Sequence, residues 1–145
     1  MAQEDKQLLL KDLCARLPYG VICNTPKGNG HLNSINQTIF GIELGININA
    51  VHRDTFKLEE CKPYLRPMSS MTEEEEKEFG KIIGFNGEDE NNWVRYDNIH
   101  TIYGISLLGI NKLIDWLNAH HFDYCGLIER GLVIEATEDM YRKGK

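Results

Sequence analysis

Apolar residues spaced three and four positions apart predict a helix in the second half of the chain. We place this helix at residues 107 to 120, ending at His120-His121, with Asp123 capping a short helical turn that follows. Four residues would form its buried face: Ile110, Leu113, Ile114 and Leu117. Polar residues occupy the remaining surface, as expected for a helix that packs on one side only.

The same spacing predicts two further helices. One covers residues 3 to 16, with Pro18-Tyr19-Gly20 ending it. The other covers residues 73 to 83, where Thr72 is the N-cap and Glu75 completes a capping box. The first helix would bury one leucine-rich face, formed by Leu9, Leu10, Leu13 and Leu17.

Alternation of apolar with polar residues predicts strands between residues 20 and 60. A strand at 21 to 24 leads into a hairpin in which Asn29-Gly30 would form the turn. Together with this strand, further alternating runs give four or five short antiparallel strands, with these side chains facing inward: Ile39, Val51, Phe56 and Leu58. Two prolines within Cys61–Met68 predict an extended segment that lies over the sheet edge rather than inside the sheet.

These elements together predict one α+β domain. The expected architecture is a small curled antiparallel sheet, open or barrel-like, with three flanking helices. A length of 145 residues suits a single domain. The polar sequence of residues 86 to 92 predicts an exposed loop. Two strands or irregular packing would both fit residues 93 to 105, and a short strand or extended tail is predicted at residues 132 to 134.

Charge and cysteine content narrow the functional classes. The net charge of -6 disfavours nucleic acid and anionic membranes as partners, because phosphate groups are bound mainly by Lys and Arg. The first residues carry no export signal, and no apolar run approaches the roughly 20 residues of a membrane-spanning helix. Four scattered cysteines indicate reduced, mostly buried thiols. The sequence therefore predicts a cytoplasmic protein without a membrane segment.

One short segment concentrates side chains that are capable of chemistry. His120, His121, Asp123 and Cys125 place four potential metal ligands within six residues, and Cys125 is the best candidate for a nucleophile. However, adjacent histidines on a helix diverge by about 100°, and no established metal-binding spacing is present. Histidines at a helix C-terminus are also explained by the helix dipole. We assign no metal, cofactor or catalytic residue, and keep a metal-dependent or thiol hydrolase as the alternative function.

A recognition surface is the favoured interpretation. Trp93, Arg95, Tyr96 and Tyr103 would present aromatic and cationic groups beside the sheet. The negative net charge favours a protein partner over nucleic acid. We therefore predict a non-enzymatic accessory or protein-interaction module, while Trp93 as a lid over the core is the structural alternative. Pairing of open sheet edges would also allow a homodimer.

Three strings of residues carry a resemblance. They are Lys62–Glu75, Asp115–Tyr124 and Gly126–Leu132, and together they resemble a family of small uncharacterised proteins of Bacteroides-type gut bacteria and their phages or prophages. The resemblance spans about residues 8 to 140. It implies a phage-related or gut-bacterial setting and no catalytic residue. Where members of that family carry an arginine after the tyrosine, this chain has Cys125, which argues against a required cation or a family nucleophile at that position.

Overall fold

The computed structural model describes residues 2–49, 51–82 and 107–141. Within them lie three helices, α1 (Gln3–Arg16), α2 (Glu73–Ile82) and α3 (Leu107–Ala119), and six strands, β1 (Ile22–Thr25), β2 (Gly28–Thr38), β3 (Gly41–Asn49), β4 (His52–Lys57), β5 (Lys62–Leu65) and β6 (Ile134–Glu135). The strands form one mostly antiparallel sheet in the order β4-β3-β2-β1-β5-β6. Among the described residues the six strands do not close into a barrel, and the α+β class is confirmed.

Local signals placed the helices correctly. α1 matches the predicted bounds and ends at Pro18 and Gly20, where Gly20 has a φ of 65°. The capping box of α2 is also present: Thr72 N donates to Glu75 Oε1 at 3.0 Å, and Glu75 N donates to Thr72 Oγ1 at 3.2 Å. α3 buries Leu113 and Leu117 as expected, whereas Ile110 is 40% exposed.

Strands β1 to β4 form an antiparallel meander joined by tight turns. The prediction of a hairpin after β1 is confirmed, but the turn lies at Pro26-Lys27 and not at Asn29-Gly30, which belongs to β2. Thr25 Oγ1 fixes this turn, since it accepts a hydrogen bond from Lys27 N at 3.1 Å and donates to Gly28 O at 2.6 Å. A threonine hydroxyl that holds both ends of a two-residue turn thus replaces the predicted Asn-Gly signal.

The turn between β2 and β3 uses the same arrangement. Thr38 Oγ1 accepts from Phe40 N at 3.1 Å and donates to Gly41 O at 3.1 Å. Ile39 and Val51, both predicted to face inward, instead lie in turns and are 93% and 95% exposed. Phe56 and Leu58 are buried as predicted. The prediction for Ile39 and Val51 was therefore wrong, because it extended the strand alternation through residues where the chain reverses direction.

The proline-containing segment is inside the sheet, contrary to the prediction that it lies over the edge. β5 pairs antiparallel with β1 and parallel with β6. Pro63 is tolerated there because β1 pairs with only two residues of β5 and β6 begins to pair at Tyr64, so the missing N–H removes little of the ladder. Beyond the last β1–β5 pair, the Tyr141 hydroxyl bridges the strands: Ile22 N donates to it at 2.8 Å, and it donates to Tyr64 O at 2.7 Å.

The core has two parts. The larger cluster joins α1 to the sheet and to residues 127–133, and its fully buried members include Leu9, Leu13, Val21, Leu44, Ile46, Leu65 and Leu127. The smaller joins α2 to α3 and comprises Met71, Phe79, Leu113, Leu117 and Phe122. Arg16 connects the two clusters because it is fully buried and its Nη2 donates to Phe122 O at 2.6 Å, while its Nε donates to Asp12 Oδ2 at 2.8 Å.

Candidate functional site

The C-terminal end of α3 separates the two candidate histidines. His121 adopts a φ of 63°, the left-handed conformation that ends many helices. His121 N donates to Asn118 O at 3.1 Å and Phe122 N to Leu117 O at 3.0 Å, so the last carbonyl groups of the helix are satisfied by backbone. The helix therefore does end between the histidines, but the reversal directs their rings to different neighbours.

His120 contacts residues of α2 and α3. Its ring lies 4.2 Å from the Trp116 ring, its Nδ1 is 2.9 Å from Trp116 O, and its Nε2 is 3.8 Å from a Glu78 carboxylate oxygen. The buried ring of His121 stacks at 3.8 Å on Tyr141, which belongs to the sheet side of the molecule. The two imidazoles thus contact different parts of the core.

Asp123 and Cys125 have surroundings that differ from those of the two histidines. The Asp123 carboxylate accepts hydrogen bonds from Leu127 N at 2.9 Å and Ile128 N at 3.0 Å, which confirms its capping role, although the capped segment is a turn rather than a helix. Cys125 is exposed, and desolvation together with nearby Asp12 raises its thiol pKa, which disfavours the thiolate. Across residues 2–49, 51–82 and 107–141, no group of three potential metal ligands is present. For Cys125, the best candidate for a nucleophile, the surroundings therefore oppose activation.

All four cysteines are free. Cys23 and Cys61 are buried, while Cys14 and Cys125 are exposed, so only half of the predicted buried thiols are buried. Desolvation raises the pKa of both Cys23 and Cys61 to about 12. These two thiols remain protonated at neutral pH and act as small apolar core residues.

Both histidines border a wide groove of about 1020 Å³ between the start of α2, the end of α3 and the segment after β6. Arg66 lies in it, bonded to both carboxylate oxygens of Glu75 at 2.7 and 2.8 Å and lying 4.1 Å from the centre of the Phe122 ring. Burial alone would raise the pKa of Glu75, but Arg66 and the Thr72 N–H outweigh it and lower that pKa. Since Arg66 is already neutralised, the groove has an acidic lining, with further carboxylates from Glu74, Glu78, Glu135 and Glu138.

The predicted recognition residues Trp93, Arg95, Tyr96 and Tyr103 lie outside the described residues. The structure therefore neither brings them together nor separates them, and they remain a prediction.

A different surface stands out at the tip of the β2–β3 hairpin. Ile39 is 93% exposed and the adjacent Phe40 is 81% exposed, and both occupy the two-residue turn that Thr38 holds in place. We call these two residues the hairpin tip. Sequence reasoning missed this surface because it placed Ile39 in the core. The usable signal was the recurrence of Thr-x-x-Gly, at Thr25–Gly28 and again at Thr38–Gly41, which marks both turns.

Comparisons with protein-family models, with curated proteins and with solved structures found no match to this chain. The resemblance to proteins of gut bacteria and their phages therefore stays an expectation. Among the described helices, none combines the length and apolar character that crossing a bilayer requires. Inference about function thus rests on the surfaces of the molecule itself.

Proposed function

We propose that this protein is a non-enzymatic accessory module that acts by binding another protein through the hairpin tip. The observation that carries the proposal is the near-complete exposure of two adjacent large apolar side chains, Ile39 and Phe40. Together they present on the order of 300 Å² of apolar surface, an amount typical of the largest patch on a monomer and often functional. Single exposed apolar residues need no explanation, whereas two at a rigid turn form a contact point.

The size of this surface bounds the affinity that it supports. Burying about 300 Å² at about 25 cal/mol per Å² contributes roughly 7 kcal/mol, which is comparable to the 4 kcal/mol or more that association itself costs. The tip alone thus gives little net binding free energy, and neighbouring residues of the hairpin must contribute further contacts. Two apolar anchors surrounded by polar groups fit the usual pattern of a protein interface.

A protein is the partner that suits the charge around the tip. Residues 28 to 42 contain no Lys, Arg, Asp or Glu, and a cation that contacts this hairpin, Arg53, already donates a hydrogen bond to Ser34 Oγ. This surface therefore offers few contacts to phosphate groups of nucleic acid or lipid. Four free cysteines fit a reducing compartment, which supports a cytoplasmic location within the proposal. A phage-related or gut-bacterial setting belongs to the same proposal and rests on the resemblance of Lys62–Glu75 and the two later strings.

The test is affinity capture with the tagged full chain under nuclease treatment. The double variant Ile39→Ser/Phe40→Ser should capture at least about tenfold less of a stoichiometric protein partner than the wild type does, since both anchors are removed. The matched control is Val51→Ser, because Val51 is equally exposed but lies in the β3–β4 turn at the opposite end of β3. Equal loss in the control, or full capture by the double variant, would contradict the proposal.

Folding of the variants is straightforward to verify. Exposed positions such as these change unfolding free energy by no more than about 0.5 kcal/mol on substitution. Thermal unfolding followed by circular dichroism should therefore give the same midpoint for the wild type, the double variant and the control. Elemental analysis of the captured material addresses the alternative directly, because one equivalent of a transition metal would favour the hydrolase.

A further inference from the structure

The wide groove between α2, α3 and the segment after β6 holds a large share of the negative charge. Its lining contains five glutamates and one arginine, so with neutral histidines it accounts for -4 of the net charge of -6. Arg66 is bound to both carboxylate oxygens of Glu75, which leaves four other carboxylates: Glu74, Glu78, Glu135 and Glu138. A concave surface lined by one sign of charge concentrates its field, so the groove attracts cations.

The four carboxylates come from two separate parts of the chain. Glu74 and Glu78 lie one turn apart in α2, whereas Glu135 lies in β6 and Glu138 in the turn that follows. All four residues are exposed. In the described parts of the chain no Lys or Arg forms an ion pair with any of them, and the Nε2 atom of His120 lies 3.8 Å from Glu78. A cationic ligand would therefore meet carboxylates that no described Lys or Arg neutralises.

Aromatic and apolar side chains line the same groove. They include the rings of Tyr19, His120 and Tyr141, together with Ala119 and Ala136. The aliphatic stems of Lys and Arg pack on such surface while their charged ends stay beside carboxylates, and their cations are also attracted to aromatic rings. The lining thus combines the two features that bind a basic peptide segment.

The chain carries a basic segment directly beside the groove. Tyr141 is followed by Arg142-Lys143-Gly144-Lys145, which has three cations in four residues. We call residues 142–145 the basic segment. One residue spans at most about 3.6 Å, so the Cα atom of Lys145 lies within about 14 Å of the Cα atom of Tyr141. A tether this short gives an effective concentration in the roughly millimolar range or above.

We propose that the basic segment occupies this groove, with its three cations beside the four carboxylates. Charge complementarity and the short tether from Tyr141 identify this occupant ahead of a separate basic peptide. Such a peptide would have to displace the basic segment, which therefore acts as an internal competitor for the groove. Ile39 and Phe40 do not line the groove, so its occupant does not depend on the proposed function.

The test is carbodiimide cross-linking of the full chain, followed by mass spectrometry. Carbodiimide joins an ammonium group to a carboxylate in direct contact as an amide, and the water that is lost converts the reagent to a urea. We expect Lys143 or Lys145 to become linked to Glu74 or Glu78, from which they are separated by some 70 residues of sequence. Absence of these links in the wild type would overturn the proposal.

Two double variants show whether the groove directs the reaction. Glu135→Gln/Glu138→Gln leaves the reacting groups on α2 intact but removes half of the four carboxylates, so the yield of the links should fall at least about threefold. The matched control is Glu4→Gln/Glu129→Gln, which removes two exposed carboxylates outside the groove lining and should leave the yield unchanged. An equal effect of both variants would contradict the proposed contact.

Competition is measured with a separate probe. A fluorescein-labelled peptide of the sequence Arg-Lys-Gly-Lys is cross-linked to the wild type and to the variant Arg142→Ser/Lys143→Ser/Lys145→Ser. Because this variant lacks the internal competitor, Glu74 and Glu78 should be labelled at least about threefold more than in the wild type. Equal labelling of the two chains would show that the basic segment does not occupy the groove.

Discussion

Replacing Arg16 by methionine should cost about 3–5 kcal/mol of unfolding free energy, the range for a buried ion pair that loses one partner. Arg16 is fully buried and donates to two acceptors, the Asp12 carboxylate and the Phe122 carbonyl. Methionine keeps the apolar stem of the side chain but is shorter than arginine and has no N–H group. Both acceptors would remain buried, and Asp12 would be a charge without a counterion. Because a domain of this kind is stable by only about 5–15 kcal/mol, the loss is a large fraction of the total.

The same variant should change how stability depends on pH. Burial raises the pKa of Asp12 above its ordinary value of 3.8, against the opposing effect of Arg16, and removing Arg16 must raise it further. The folded state then binds a proton more tightly than the unfolded chain. Stability contributed by this group is therefore fully present below the unfolded pKa and is lost as pH rises through the folded pKa. Arg16→Met should be less destabilising near pH 4 than near pH 7.

Urea unfolding followed by circular dichroism measures both effects. The double variant Asp12→Leu/Arg16→Met removes both charges and should be more stable than Arg16→Met, although it keeps the cost of about 1–3 kcal/mol for the unpaired Phe122 carbonyl. Arg130→Met is the matched control, since Arg130 is exposed and should matter by no more than about 0.5 kcal/mol. A loss below about 1 kcal/mol for Arg16→Met, or a double variant no more stable than it, would refute this reasoning.

Two further variants test the C-terminal contacts. Tyr141→Phe removes the hydroxyl that bridges Ile22 N and Tyr64 O and should cost about 1–3 kcal/mol in urea unfolding, whereas a cost near zero would show that water replaces it. His121→Gly should be about 1 kcal/mol more stable than His121→Ala, because both lose the ring stacked on Tyr141 but only glycine adopts the φ of 63° without strain. Equal stabilities of these two variants would exclude strain at that position.

The helices were predictable because their signals are local. The reciprocal hydrogen bonds of Thr72 and Glu75 depend only on residues three apart, and the bounds of α1 follow from leucine spacing and from Pro18 and Gly20. Even within α1, however, the sequence did not indicate that Arg16 is buried. An arginine in the last turn of a helix usually complements the dipole at the surface, and its partner Phe122 O lies 106 residues away.

The strand errors have one physical origin. A period of two tells which residues share a face but not where the chain reverses, so Ile39 and Val51 were assigned to the core. Pro63 was placed outside the sheet because proline lacks a donor, and sequence alone does not reveal how few pairs its neighbours make. The candidate site depended on the same information. Its two anchors are exposed because they occupy the turn that Thr38 holds, and the Thr-x-x-Gly spacing was the one local signal for that turn.

The bridge made by Tyr141 bears on the order in which the molecule folds. β1 to β4 are joined by turns of a few residues, so their pairing closes only short loops, whereas β5 meets β6 and Tyr141 across some 70 residues or more. We therefore expect the four-stranded meander to form early and the join between β1 and β5 to form late. Pulsed hydrogen exchange during refolding checks this sequence, since equally early protection of Ile22 and Leu44 would contradict it. The amide of Ile22 in the N-terminal strand would thus gain its hydrogen-bond partner only when the distant C-terminal residues are in place.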